Sequence, residues 1–348
     1  MIDSDIRKAK TLPSSFYTDP NVFSEIKLRF SNCWHFAAHY SQLVKKSAFE
    51  LKHFEELIGE PKILTSDEKI RCLSNVCTHR GMLLIDGHCS KNSIKCPYHG
   101  RTFSLDGTMK AMPEFEGVED FPSSKDNLRS FPVISWNGLI FSGINPPKKY
   151  PPLIELEKRL GWMPIEDFEY DESRNRSYEI KANWALYVDN YLEGFHIPFV
   201  HKELNRELDY DNYQTEIFDG GVLQIGIASE SEATFEIPEG SPDYGLKVAA
   251  YYYWIFPGLM LNFYPWGLSV NLVVPLSVER TQIIYQGFVW DKGMLGMGAG
   301  GDLDKVESED QAIVEATQKG VSSQTYDRGR YSPSREKGVH HFHKILTN

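Results

Sequence analysis

The chain has 348 residues, 41% of them hydrophobic and 24% charged, and 48 acidic side chains outweigh 37 basic ones for a formal net charge of −11. That length favours two domains, and the acidic balance argues against a nucleic-acid-binding surface, which needs a basic footprint. No run of about 18 apolar residues offers a membrane span.

The opening Met1 to Arg7 lacks the basic and apolar regions of a signal peptide. Five cysteines, an odd count, do not suggest a secreted disulfide framework, so the cytoplasm is the expected location. From about Phe30 to Ile144 the sequence reads as short β-runs broken by turn residues. Examples are Ile70 to Leu73, Ser93 to Cys96, Thr102 to Leu105 with the Asp106-Gly107 turn, and Gly138 to Phe141. The Pro-rich stretch 145–152 reads as a boundary. Beyond it, Asn183 to His201 looks helical until Pro198, about Gly220 to Trp290 alternates as several antiparallel strands, and Asp304 to Lys319 has helical spacing.

Two stretches carry metal chemistry. Cys77-Thr78-His79-Arg80-Gly81 is followed, with sixteen residues between His79 and Cys96, by Cys96-Pro97-Tyr98-His99-Gly100. Two Cys–His pairs can converge as two loop tips, and thiolate with imidazole suits zinc or iron–sulfur chemistry. In a Rieske centre two Cys hold one iron and two His the other; a structural zinc site uses the same four ligand types. Glycines after each pair allow tight turns there. Cys33, Cys72 and Cys89 are left over, and buried structural thiols explain them.

The second stretch runs from Asn183 to His201. His196 and His201 are five apart, which is about 140° around a regular helix, so they do not share a face. Pro198 between them predicts a kink or an end, which would let both imidazoles meet one ion. Asp310, on the late helical segment, is the best third ligand. Two His and one carboxylate on one face of iron leave positions open for oxygen.

The two motifs in this order, with the late Glu309, Asp310, Glu315, Gln318 and Gly320, resemble the α-subunits of Rieske non-haem iron oxygenases over nearly the whole chain. The resemblance implies an α+β architecture. An all-β Rieske domain over 30–148 would hold a [2Fe–2S] cluster on Cys77, His79, Cys96 and His99. A catalytic domain of 1–29 and 149–348 would wrap an antiparallel sheet around a helix, in helix-grip fashion, with a mononuclear Fe(II) on His196, His201 and Asp310.

It also implies head-to-tail homotrimers, in which an acidic residue joins a cluster histidine of one subunit to an iron histidine of the next. By position that residue is Glu193. Most of the family has Asp there, and the longer Glu resembles the subgroup that oxidises carnitine and related alkylammonium compounds. One departure is Arg101, where many members carry Trp.

Gly296 to Gly301 fits G-x-G-x-x-G, but no room remains for a following Rossmann strand, so the segment reads as a flexible loop. With no NAD(P)H or flavin site, a separate flavin/iron–sulfur reductase or ferredoxin is implied. His340, His341 and His343 read as surface histidines on a tail. The aromatic run Tyr251 to Trp266 suits either a cation–π cage or a sheet core.

The expected function is O2-dependent hydroxylation or N-demethylation of a small alkylammonium substrate. Aromatic-ring hydroxylation is the enzymatic alternative. A Rieske electron carrier is the alternative from another class, and the additional 200 or so residues count against it, since a carrier needs only the first domain.

Overall fold

A computed structural model describes residues 1–201, 204–229, 232–301 and 303–347 of the chain. It separates into two compact units, Leu28–Lys148 and a larger one of Met1–Lys27 with Lys149–Asn348.

The smaller unit is built from three antiparallel sheets. One has Leu139–Ser142 between His35–His39 and Val133–Trp136. A five-stranded sheet runs in the order His88–Cys89, Ser47–Glu50, Lys62–Ser66, Ile70–Ser74, Ser130–Phe131. A small sheet of Ser93–Lys95, Thr102–Ser104 and Met109–Ala111 completes it. These strands are short runs, each stopped by a turn, and several, such as His35–His39 and Leu139–Ser142, are buried on both faces. Ile63, Leu73, Ile94, Phe103 and Leu128 are buried in one core with Cys77 and Cys96. The two candidate ligand loops therefore stand directly on packed side chains.

The larger unit is dominated by a seven-stranded antiparallel sheet. Its order is Glu169–Ile180, Arg280–Val289, Gly267–Ser277, Leu259–Tyr264, Val248–Ile255, Gly221–Ile227, Gln214–Phe218. Register decides which aromatics face the helices. Gln224 lies opposite Tyr252, Tyr252 opposite Asn262, and Asn262 opposite Ser269, so these side chains form one cross-strand row. Tyr251, Tyr253 and Phe263 alternate onto the opposite face. There Arg159, from the Pro151–Leu160 helix, pairs with Asp243 at 2.6 Å and Glu216 at 2.7 Å, and Tyr251 donates to Asp243. The aromatic run is thus shared between a filled core and a helix-facing surface.

Three helices cover that surface: Trp184–Tyr191, Leu303–Val321 and Lys337–Thr347. The last of these corrects the expected histidine tail. His340 and His343 are buried, with His343 only 1% exposed. His343 Nε2 bonds Asp189 at 2.7 Å, and its Nδ1 meets the Tyr331 hydroxyl at 2.6 Å. Part of the Gly-rich segment, around Ala299 and Gly300, is packed, while Gly296 and Met297 are exposed. Gly298–Gly300 forms one 3-10 turn, and a Cβ on Gly300 would lie 2.4 Å from Trp266 Nε1 and 2.8 Å from the Tyr264 ring. No described helix is long and apolar enough to cross a membrane.

Candidate metal centres

Each Cys–His pair is closed by the same turn. The Gly81 N–H donates to the Cys77 carbonyl at 3.0 Å and the Gly100 N–H to the Cys96 carbonyl at 3.1 Å. Both glycines have positive φ, +74° and +77°, a conformation that other residues adopt only with strain. Cys77 and Cys96 are buried, whereas His79 and His99 are half-buried, with ring centroids 4.9 Å apart.

Burial holds the Cys77 thiol above its usual value, although the N–H of His79 bonds to it and pulls the other way. Burial, then the neighbouring His99 and Arg101, hold His79 below the usual imidazole range. His99 Nδ1 is buried without a hydrogen-bond partner among the described residues. Two inward thiols beside an imidazole nitrogen with nothing to bind form a donor set that fits a metal group. Of the three leftover cysteines, Cys72 is buried, while Cys33 and Cys89 are partly exposed.

The second centre departs from a helix that runs to Pro198 before it kinks or ends. The helix ends at Tyr191, and a separate turn, Ile197–Val200, begins after His196 with Pro198 in its first turn. Proline is tolerated there because its missing N–H would have had no intrahelical acceptor. Between the two, Gly194 lies where a Cβ would come within 3.0 Å of the Tyr213 ring. This break sets the His196 and His201 rings at 76° with centroids 5.0 Å apart.

Their Nε2 atoms are 3.1 Å apart, and Asp310 Oδ1 lies 3.0 Å from His201 Nε2 and 3.5 Å from His196 Nε2. Asp310 comes from the long Leu303–Val321 helix. That helix is locked to the first by Gln318, whose Oε1 accepts from the Asn183 N–H at 2.9 Å. Asn183 also caps its own helix by accepting from the Ala185 N–H.

The outer nitrogens are equally committed. His196 Nδ1 is 2.8 Å from Glu193 Oε1, and His201 Nδ1 is 2.7 Å from Glu309 Oε2. A carboxylate on each Nδ1 fixes the N–H there and leaves both Nε2 lone pairs aimed at one point, the arrangement of metal-ligating histidines. The donor set of two imidazoles and one carboxylate, within 4.8 Å of one another, fits a divalent iron. Burial lowers His201, but hydrogen bonds and charge from Asp310 and Glu309 outweigh it and leave the imidazole above its usual range.

These donors open into a narrow cavity with Tyr191, Tyr213, Tyr252 and Tyr264 in its wall. Glu193, Glu307 and Asp310 also line it, and no Lys or Arg does among the described residues. Glu307 was not singled out from sequence. It accepts from Tyr187 at 2.8 Å and from Tyr285. Burial, then Asp310, push its carboxyl up to about 7. Its spacing of three from Asp310 puts it on the same helix face, which is the signal that was available.

The chain is similar to known proteins over nearly its whole length. Residues 166–348 match the ring hydroxylating alpha subunit (catalytic domain) family, and residues 33–122 match the Rieske [2Fe-2S] domain. The chain is 30% identical to chloroplastic choline monooxygenase of Arabidopsis thaliana, over 98% of this chain and 83% of that one. It is also 30% identical to the carnitine monooxygenase oxygenase subunit of Escherichia coli, over 98% and 94% respectively. Among solved structures, the quaternary ammonium Rieske monooxygenase CntA superposes with a TM-score of 0.82 at 26% identity, covering 99% of this chain and 96% of that one. Naphthalene 1,2-dioxygenase from Rhodococcus sp. superposes at 0.74 with 18% identity over 97% and 93%, a likeness of fold.

Proposed function

Since the chain belongs to the α-subunits of Rieske non-haem iron oxygenases, oxidoreductases that carry a [2Fe–2S] cluster and a mononuclear iron, we propose that it is the oxygenase component of an alkylammonium monooxygenase. Cys77, His79, Cys96 and His99 are its cluster ligands in this reading, and His196, His201 and Asp310 its iron ligands. When bound, the two groups supply electrons and O2 activation.

The chain's own residues do the remainder. Glu193 and Glu309 hold the Nδ1 protons of the two histidines, which fixes their tautomers. The tyrosine walls exclude water and orient the substrate. The product is a hydroxylated carbon; where that carbon is an N-methyl group, its C–N bond breaks, it leaves as formaldehyde, and the outcome is N-demethylation.

The observation that carries the substrate class is the cavity wall, five tyrosines and three carboxylates with no Lys or Arg among the described residues. Aromatic faces and carboxylates attract a cation and repel an anion, and a neutral arene gains nothing from the carboxylates. The Escherichia coli and Arabidopsis relatives are named for carnitine and choline, both quaternary ammonium compounds.

Two partners follow. A separate flavin/iron–sulfur reductase or ferredoxin supplies electrons from NAD(P)H. The assembly is a homotrimer, a reading supported by exposed apolar side chains around both centres: Phe195 and Phe199 beside His196, and Met82, Leu83 and Tyr98 beside the cluster histidines.

The test is anaerobic purification with iron and sulfide analysis, and EPR before and after dithionite. Turnover with a reductase then follows, on quaternary ammonium compounds against neutral arenes. About three irons and two sulfides per chain, with ammonium-dependent product, are expected. Turnover of arenes alone would overturn the substrate class and leave the metal centres standing. A colourless protein with one zinc and no sulfide would overturn the metal centres themselves.

A further inference from the structure

Arg101 stands two residues after His99, and its side chain is only 3% exposed. A guanidinium keeps its charge at any accessible pH, so this is a permanent cation inside the smaller unit. Its Nη1 donates to Thr78 Oγ1 at 2.9 Å and to Asp126 Oδ1 at 3.3 Å. Thr78 is the residue between Cys77 and His79, and its hydroxyl donates in turn to the Asp126 carbonyl at 2.7 Å. The Arg101 carbonyl accepts from the Cys96 N–H at 2.7 Å. The arginine is therefore bonded to both ligand loops at once.

Its surroundings keep the charge from being screened. The guanidinium carbon lies 5.6 Å from the Phe115 ring and 5.3 Å from that of Phe121, and Phe115 stands edge-on to His79 at 5.3 Å. Arg101 Nε is buried with no partner among the described residues, so Asp126, whose side chain is 20% exposed, is the single carboxylate it reaches. A fixed cation in a low-dielectric setting favours a neighbouring group that gains negative charge, and a carboxylate beside it does the reverse. A cluster that takes up one electron gains one negative charge, and charge near a cluster is among the factors that set its potential.

We infer that Arg101 and Asp126 form an opposed electrostatic pair that sets the reduction potential of the cluster, Arg101 raising it and Asp126 lowering it. Both are positioning residues: neither supplies a donor to the group. The inference rests on Cys77, His79, Cys96 and His99 being the cluster ligands.

The experiment compares the full-length protein with Arg101→Gln, Arg101→Lys and Asp126→Asn. Iron, sulfide and the visible spectrum are recorded first, then the potential by EPR-monitored redox titration at one pH. A wild-type protein without cluster would sink the ligand reading itself, before any potential is compared. With cluster present, Arg101→Gln is expected to lower the electron-accepting equilibrium constant about tenfold, about 59 mV for a one-electron couple. Asp126→Asn is expected to raise it by a similar factor, and Arg101→Lys to stay close to wild type.

A purely structural role predicts no such opposition. If both neutral variants keep the cluster and shift together, or neither shifts, the pair does not tune the potential. If Arg101→Gln fails to assemble a cluster, Asp126→Asn decides alone: a higher potential supports the inference, an unchanged or lower one overturns it.

Discussion

A single carboxylate on the outer nitrogen of each candidate iron histidine decides how well that histidine can act as a ligand. Glu309 bonds His201 Nδ1 at 2.7 Å, so its oxygen fixes both the ring orientation and the position of the proton. Replacing it with Ala is expected to weaken iron binding by about 10- to 100-fold, as loss of an outer partner typically does. Competition of the purified protein against a chelator measures this, with the cluster spectrum as an internal control. Glu307, two residues earlier on the same helix and one turn from Asp310, has a different role. Its carboxyl is pushed up to about 7 from the usual 4.5, first by burial and then by Asp310. The folded iron-free chain therefore keeps this proton where the unfolded chain has lost it. The penalty on folding is absent below about pH 4.5, grows as pH rises to about 7, and is constant above, on the order of 3 kcal/mol at most. His201, held above its usual range, acts in the same direction in the absence of iron. The melting temperature of iron-free protein should thus fall between pH 5 and pH 8. In Glu307→Gln, which can still accept from the two tyrosines, the fall should be shallower. An equally steep fall in that variant would assign the pH dependence to other groups.

At the scale of elements, the geometry of the iron site depends on where one helix stops. Asn183 accepts from Ala185 N–H, donates to the Val278 carbonyl at 2.8 Å, and offers its own N–H to Gln318. Asn183→Ala should cost about 1–2 kcal/mol from the lost cap and the unpaired carbonyl, read by chemical denaturation. At the other end, Gly338 of the C-terminal helix lies against the Leu192 carbonyl, which a Cβ would approach to 2.5 Å. Gly338→Ala should therefore destabilise by about 1–3 kcal/mol and also displace the segment carrying Glu193, so iron affinity falls along with stability. These two positions show what sequence could convey. The strands between Gly220 and Trp290 and the long helix were legible because their periods repeat over many residues. The four candidate donors of the first centre were legible because their residue types are rare in such spacing, and the three of the second because they follow that motif in this order. The end of the Trp184–Tyr191 helix was not, because Pro198 is the strongest local breaker while the break itself depends on Gly194 lying against Tyr213, nineteen residues on. The C-terminal histidines were misread for the same reason: the acceptor that buries His343 is Asp189, 154 residues earlier. Contacts of that range leave no local period.

For the whole molecule, each chain supplies both a candidate cluster site and a candidate iron site, in separate compact units. If electrons pass within one chain, a chain lacking either site is inactive in any mixture. If they pass between neighbours of a head-to-tail trimer, a chain lacking only the iron ligands can serve the iron of a chain lacking only the cluster. Co-expressing His196→Ala with Cys77→Ser, each inactive alone, separates the two cases. Every mixed trimer then contains one competent junction of three, because one direction around the ring leads from an intact cluster to an intact iron and the others do not. Random assembly of equal amounts makes three trimers in four mixed, so about one quarter of wild-type activity is expected. The exposed Phe195 and Phe199 beside His196 give a second handle. Phe199→Asp puts a charge on that apolar surface, and it should abolish the complementation while leaving each unit folded and the cluster reducible by dithionite. Complementation near one quarter, lost on Phe199→Asp, is the signature of transfer across a subunit boundary through this surface. No activity in the mixture, with both variants confirmed in one assembly, would place the transfer inside a single chain.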